Sequence, residues 1–258
     1  HQFEALKAGG AGLAGHPERA FGPVAGTLYA LDGSRLKLSA QFMPVASAQR
    51  AHGERRPAAT LEVRNGETWT SIGEPRVICA PDYHVLFEAD DWDASRDHDV
   101  RVAYTDGDGR SCTYPTHIRR DPVDKSVVSL AGFTGMGVMG HVASQPNPRP
   151  EPGLVPIGKW TPANVWFPFA DAVDTVREEQ DVDILFFTGD QVYEMRPTYR
   201  ERGRMHFEDY LYKWILWHWA FRSLTAQCPA IVQPDDHDVY HGNLWGWGGR
   251  LCPTDRNG

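Results

Sequence analysis

Two acidic segments of the chain carry residues that suit metal chemistry. The first is Gly189-Asp190-Gln191-Val192-Tyr193-Glu194, and the second is Asp235-Asp236-His237-Asp238. Carboxylate and imidazole groups bind divalent cations such as Ca, Mn, Fe and Zn. Carboxylates held close together repel one another and raise each other's pKa, and a bound cation removes that penalty. The two segments therefore predict a metal centre, provided that the fold brings them together.

Such a centre would suit the hydrolysis of phosphate esters. Two metal ions that share a bridging carboxylate hold the attacking and leaving oxygens of a displacement at phosphorus, and a metal-bound water becomes a nucleophile near neutral pH. A nearby histidine such as His237 can protonate the leaving oxygen. The alternative is structural: Asp235 and Asp236 would cap a helix, and His237 would be incidental.

Each acidic segment follows a short apolar run that is typical of a buried strand. Ile184 to Phe187 precedes the first segment, and Ala230 to Val232 precedes the second. Ligands of open α/β sheets bind outside the carboxyl ends of the strands. We therefore expect the two strands to be neighbours in one sheet, with Asp190, Asp236 and His237 at its edge.

The elements around these strands predict a layered α/β unit. A strand over 126–131, a helix over 168–180 and the strand that ends near Thr188 give a β-α-β order. A second helix over 205–225 is apolar nearly all round, which predicts that it is buried between layers. Within it, His218 is expected to be a packing residue with its hydrogen bonds satisfied. Residues 140–163, which are rich in proline and include His141, predict a long loop.

The part of the chain before this unit has an all-β pattern. Leu36 to Phe42 and Val100 to Tyr104 alternate apolar and polar residues, and Asp-Gly occurs twice over 106–109, as in a hairpin turn. Short strands at this spacing predict a β-sandwich over 25–122. Residues 1–24, rich in Gly and Ala, predict an extended arm, and Asp121 to Asp124 predicts a linker. The histidines of this part are expected on the surface: His52, His84, His98 and His117.

Composition limits the classes of protein to which the chain can belong. The 258 residues carry 26 Lys and Arg against 34 Asp and Glu, a formal charge of -8, which argues against general nucleic-acid binding. A hydrophobic content of 41% supports a packed core rather than disorder. The apolar runs are far shorter than the ~20 residues of a membrane helix, so no transmembrane segment is expected.

The four cysteines leave two interpretations open. Pairing of Cys79 with Cys112 and of Cys228 with Cys252 would place one bridge in each half and would indicate an oxidising compartment. Four buried thiols are the alternative. From the first interpretation we predict a secreted or periplasmic protein.

The two acidic segments, with Asn243 after them, resemble the PhoD-like (alkaline phosphatase D) branch of the metallophosphoesterases. That branch has Tyr at the end of its first motif, as at Tyr193, and D-D-H-D/E as its second, as over 235–238. The resemblance covers 126–258 and implies the N-terminal half of a four-layer α/β/β/α metallophosphoesterase domain. It also fits the preceding sandwich, because the branch carries an Ig-like N-terminal domain.

The resemblance implies a role for each matching residue. Asp190 would bridge the metal ions, Asp236 would be a metal ligand, and His237 would face the phosphate as a catalytic residue. Tyr193 and Asn243 would be further ligands. The cofactors implied are two or more divalent or trivalent ions of Fe, Ca, Zn or Mn, and the activity implied is that of a phosphatase or phosphodiesterase.

The chain departs from the branch in two places. The cysteine ligand that follows the first strand is replaced by Ala131-Gly132-Phe133-Thr134-Gly135, and the later histidine motifs of the superfamily are absent. We therefore expect a C-terminal fragment of the same precursor to complete the site. A catalytically inactive relative that serves as a binding or structural module is the alternative.

Overall fold

The structure is a computed structural model that describes residues 22–45, 48, 56–105, 109, 111–136, 140–142, 155–157, 169–179, 181–193 and 205–239. Seven strands come first: β1 (Val24–Asp32), β2 (Arg35–Phe42), β3 (Ala58–Asn65), β4 (Thr68–Val77), β5 (His84–Ala89), β6 (His98–Thr105) and β7 (Ser111–Ile118). The later elements are β8 (Leu130–Phe133), β9 (Gly140–Val142), β10 (Val155–Ile157), α1 (Ala170–Glu179), β11 (Ile184–Phe187), α2 (Met205–Thr225), β12 (Ala230–Val232) and α3 (Asp236–Val239).

The first seven strands form two antiparallel sheets that share one core. One sheet has the order β1-β2-β5, and the other has the order β4-β3-β6-β7. Alternate residues of β2, such as Leu36 and Leu38, are fully buried and belong to the same apolar cluster as Leu61 of β3 and Val102 of β6. The period-two pattern in the sequence therefore identifies the residues that face this core.

A parallel sheet of order β12-β11-β8 carries the acidic segments. Its register pairs Phe187 with both Phe133 and Val232, so the three strands end at the same edge. α1 lies between β8 and β11 in the chain, and α2 lies between β11 and β12, which gives the expected β-α-β order. The predicted adjacency of the two acid-bearing strands is confirmed.

Helix α2 is buried between the two parts, as its all-round apolar sequence predicts. Leu211 and Ile215 belong to the core of the first two sheets, whereas Trp217 and Phe221 belong to the core of the parallel sheet. The Trp217 and Phe221 rings both contact Phe187 edge-on, with centroids 4.8 and 5.2 Å away. A helix with one polar face could not fill this position. No helix among the described residues is long and apolar enough to cross a membrane.

Two predicted elements differ in the structure. β8 begins at Leu130 rather than at 126, where its register with β11 begins at Ile184; Val127 and Val128 are exposed. Within 140–163, which the sequence predicts to be a loop, β9 and β10 pair in parallel over three residues each. Strands this short leave almost no periodic signal in the sequence.

Two histidines and one cysteine pair also differ from expectation. His98 is buried rather than on the surface, because its ring packs on Trp92 at 4.4 Å and its Nε2 bonds to the Asp93 carbonyl. His218 is buried as expected, but its Nδ1 has no hydrogen-bond partner in the described part of the chain. Cys79 is a free thiol, so the bridge to Cys112, one of the two interpretations left open for the cysteines, is not formed; Cys252 lies outside the described residues.

The contact between β1 and α2 depends on a glycine. A Cβ at Gly26 would lie 3.2 Å from Nδ1 and 3.3 Å from the backbone oxygen of His218. We expect Gly26→Ala to lower the free energy of unfolding by about 1–3 kcal/mol, because the added methyl overpacks this contact. Urea denaturation would measure the change. Gly22→Ala is the matched control, since nothing lies within 4 Å of its Cβ position; equal effects of the two changes would contradict the close contact.

Candidate metal centre

The two acidic segments meet at the carboxyl edge of the parallel sheet. Asp190, Asp236 and His237 each present one ligand atom, and these atoms all lie within 4.8 Å of one another. Asp236 is buried, and the other two residues are half-buried. Two carboxylates and an imidazole at such distances can reach a common cation. The structure thus brings together three of the residues predicted from sequence.

Asp190 carries the clearest sign that a cation belongs here. Its Oδ1 is buried and has no hydrogen-bond partner among the described residues. A buried carboxylate oxygen without a partner is costly, and a metal ion is one of the few groups that removes the cost. The donor set and the unsatisfied oxygen therefore both fit a metal site.

Tyr193 lies at the same cluster. Its hydroxyl donates a hydrogen bond to Oδ2 of Asp190 at 3.0 Å, and its ring lies 4.6 Å from that of His237, measured between centroids. Tyr193 therefore orients Oδ2 of Asp190, whereas Oδ1 has no hydrogen-bond partner among the described residues. Asn243, the remaining predicted ligand, lies outside the described residues.

Glycine allows the loops to approach one another closely. Gly189 has φ +104°, and a Cβ there would lie 2.5 Å from Cβ of Asp235. Gly135, from the loop after β8, donates its backbone N–H to the Gly189 carbonyl at 3.2 Å. Asp190 itself has φ +57°, which is uncommon for a residue other than glycine. Two successive residues with positive φ make a sharp turn directly after β11. Backbone strain of this kind is concentrated at functional sites.

Asp238 joins the two acidic segments, a role that the sequence pattern does not reveal. Its Oδ2 accepts the backbone N–H groups of Asp190 at 2.8 Å and Asp235 at 2.9 Å, and its Oδ1 accepts that of Val192 at 3.0 Å. Burial raises the pKa of Asp238, and these N–H groups act in the opposite direction. One carboxylate thus fixes the backbone on both sides of the cluster.

The structural alternative expected Asp235 and Asp236 to cap a helix, and only Asp235 does so. Asp235 is exposed, and its Oδ1 accepts the N–H of Asp236 at 2.8 Å at the start of α3. Asp236 and His237, in contrast, contribute to the cluster. The end of β8 contributes backbone and glycine to the site, and its residues 131–135 include no carboxylate, imidazole or thiol.

Comparison with known proteins shows a likeness of fold. No protein-family model matches the chain, and no curated protein matches it. A solved structure of the purple acid phosphatase PPD1 from yellow lupin (Lupinus luteus) seeds matches with a TM-score of 0.50 and 12% identity, over 87% of this chain. The chain corresponds to 37% of the length of that phosphatase. A structure of murine CRIg covers 34% of this chain, with a TM-score of 0.22, which is too low to support an argument. The likeness to the phosphatase extends across both parts of this chain.

The close approach at Gly189 gives a first test. We expect Gly189→Ala to destabilise the protein by about 2 kcal/mol or more, because the residue needs a positive φ and its Cβ would overlap Asp235. Thermal unfolding would measure the loss. Gly132→Ala is the matched control, since its nearest side-chain atom lies at 3.8 Å; a loss as large at Gly132 would contradict the assigned cause.

The three hydrogen bonds to Asp238 give a second test. Asp238→Asn places an NH₂ group against backbone N–H donors, so we expect a loss of about 1–3 kcal/mol in the free energy of unfolding. Asp235→Asn is the matched control, because that exposed side chain accepts a single backbone bond. Urea denaturation of both variants would measure the difference, and similar midpoints would rule out the joining role of Asp238.

Proposed function

We propose that this chain forms part of a metal-dependent phosphoester hydrolase. The observation that carries the proposal is the cluster of Asp190, Asp236 and His237 with its unsatisfied buried oxygen. The fold likeness to a purple acid phosphatase supports it at the level of architecture. The chain would then use at least two metal ions, of Fe, Ca, Zn or Mn.

Asp190 and Asp236 would hold the metal, with Asp190 as the bridging ligand. Tyr193, whose hydroxyl bonds to Oδ2 of Asp190, and Asn243 would be further ligands. Metal ions, when bound, supply a water of lowered pKa and stabilise charge on the phosphoryl oxygens. In the reaction, the oxygen of water joins phosphorus and gives up a proton to the solvent, and the bond from phosphorus to the ester oxygen breaks. His237 would face the phosphoryl group and give a proton to the departing oxygen. The ring of Tyr193, 4.6 Å from the imidazole, limits where that histidine can turn.

Within the metallophosphoesterases, we propose the PhoD-like branch. The support is the motif pair at 189–194 and 235–238, together with Asn243. On this proposal residues 1–24 are an arm, 25–122 an Ig-like sandwich domain, and 126–258 the first half of a four-layer catalytic domain. A secreted or periplasmic location stays a prediction. The choice between monoester and diester substrates also stays open and calls for rates on both.

The parallel sheet supports the idea of a further fragment. Leu130 and Ile231 are 56% and 50% exposed, and the register with β11 places them on the face opposite α1 and α2. No described element covers that face, although parallel sheets are normally covered on both sides. We propose that a C-terminal fragment of the same precursor supplies this layer and further metal ligands. Intact-mass measurement of the native protein would find the companion polypeptide; a lone 28.9 kDa folded monomer would argue against it.

One observation favours a non-catalytic alternative. The end of β8 and the residues after it, where the PhoD-like branch offers a metal ligand, have only apolar residues, glycine and threonine over 131–135. A module that binds a phosphorylated partner without hydrolysing it would need no complete metal set.

The metal content and the hydrolysis rate decide between these functions. We expect about two metal ions per complete site by elemental analysis, and turnover of 4-nitrophenyl phosphate or its bis-ester. Asp190→Asn should remove metal and reduce the rate by at least about a thousandfold, because the bridging ligand is lost. Asp235→Asn is the matched control, since that carboxylate lies outside the cluster. A metal-free wild-type protein, or unchanged hydrolysis in Asp190→Asn, would favour the binding module.

A further inference from the structure

The loop after β8 faces Tyr193 through a glycine. Gly135 has φ +62°, a backbone conformation that favours glycine. A Cβ at this position would lie 3.2 Å from the hydroxyl oxygen of Tyr193. Apart from the chain neighbours of Gly135, that oxygen is the one described heavy atom within 4 Å of the Cβ position. The tyrosine hydroxyl therefore borders the space that a side chain at position 135 would fill.

Hydrogen bonds hold Gly135 against the loop that follows β11. The backbone N–H of Gly135 bonds to the Gly189 carbonyl at 3.2 Å, and the backbone N–H of Thr188 bonds to the Phe133 carbonyl at 2.8 Å. The Thr188 hydroxyl donates to the same Phe133 carbonyl at 3.2 Å. Because both ends of the short segment 133–135 are tied to the neighbouring strand and its loop, an added side chain would displace the tyrosine hydroxyl rather than the backbone.

The Tyr193 hydroxyl is also confined on its other sides. It donates a hydrogen bond to Oδ2 of Asp190 at 3.0 Å, and the tyrosine ring lies 4.6 Å from the ring of His237, measured between centroids. A distance of 3.0 Å is at the long end of the usual range for a hydrogen bond between two oxygens, so an outward shift of the hydroxyl weakens it. Three residues thus define where this hydroxyl lies: Gly135, Asp190 and His237.

We propose that Gly135 is a positioning residue of the metal centre, because it leaves room for the Tyr193 hydroxyl beside Oδ2 of Asp190. The inference rests on the proposed function, since it assigns Gly135 a role towards the ion that Asp190 would bind. A hydroxyl in this place serves the centre both as the donor that orients Asp190 and as the further ligand proposed above. The residues at 131–135, which include no metal-ligating side chain, contribute space to the centre.

Urea denaturation in the absence of metal ions tests the contact. We expect Gly135→Ala to lower the urea midpoint more than Gly66→Ala, because both changes place alanine at a positive φ but only the first brings the methyl against another atom. Gly66 is the matched control, since it has the same φ of +62° and nothing lies within 4 Å of its Cβ position. In a Tyr193→Phe background the two alanine changes should lower the midpoint equally. Equal losses with Tyr193 present, or an extra loss at position 135 that persists in Tyr193→Phe, would overturn the contact.

Metal binding tests the positioning role. Equilibrium dialysis with Zn²⁺ alone, and separately with Mn²⁺ alone, gives dissociation constants with no turnover. We expect Gly135→Ala to weaken the binding of the ion by about tenfold or more, as is typical when a hydrogen-bond partner of a metal ligand is lost. Gly66→Ala should leave the binding unchanged. In the Tyr193→Phe background, Gly135→Ala should cause no further loss, because the atom that the methyl displaces is gone.

The outcomes separate the positioning role from the proposed function. Unchanged metal binding in Gly135→Ala, or an added loss in the Tyr193→Phe background, overturns the positioning role. Metal binding that depends on Gly135, without hydrolysis of 4-nitrophenyl phosphate or its bis-ester, supports the positioning role and contradicts the proposed function. A wild-type protein that binds neither ion contradicts the metal centre and the positioning role together.

Discussion

The carboxylate of Asp238 is the contact on which the site depends. Its two oxygens accept backbone N–H groups from both acidic segments, so the loop after β11 and the turn before α3 form one rigid unit. Backbone donors are fixed by the chain itself, which makes this connection stiffer than one between two long side chains. The positions of Asp190 and Asp236 relative to one another follow from it.

The parallel register of β11 and β12 is the second constraint. Phe187 pairs with Val232, so the residues that follow each strand emerge at the same level. A shift of one residue would move the side chains of one strand to the other face and separate the two loops. The packing of Phe187 against Trp217 and Phe221 of α2 favours that register, because a shifted strand would lose these ring contacts. The same helix also packs in the core of the first two sheets, so one element joins both parts of the fold.

The sequence predicted most of the elements that have a clear period. The strand over 36–42, the helix over 205–225 and the strand pair that carries the acids all occur as expected. The strands β1 and β4 and the short pair β9 and β10 were not predicted. Most side chains of β4 are exposed on both faces, so its sequence shows no alternation. For β9 and β10, three residues are too few to define a period.

The candidate ligands were named from the sequence, because carboxylate and imidazole groups are the side chains that bind divalent cations. What only the tertiary structure decided is which atoms meet. Asp238 is one of three acids in its segment, and only the folded backbone shows that it joins the loops whereas Asp235 caps a helix. A cavity beside His218 is likewise absent from any pattern in the chain. It lies between a sheet face and a helix face that are more than a hundred residues apart in the chain.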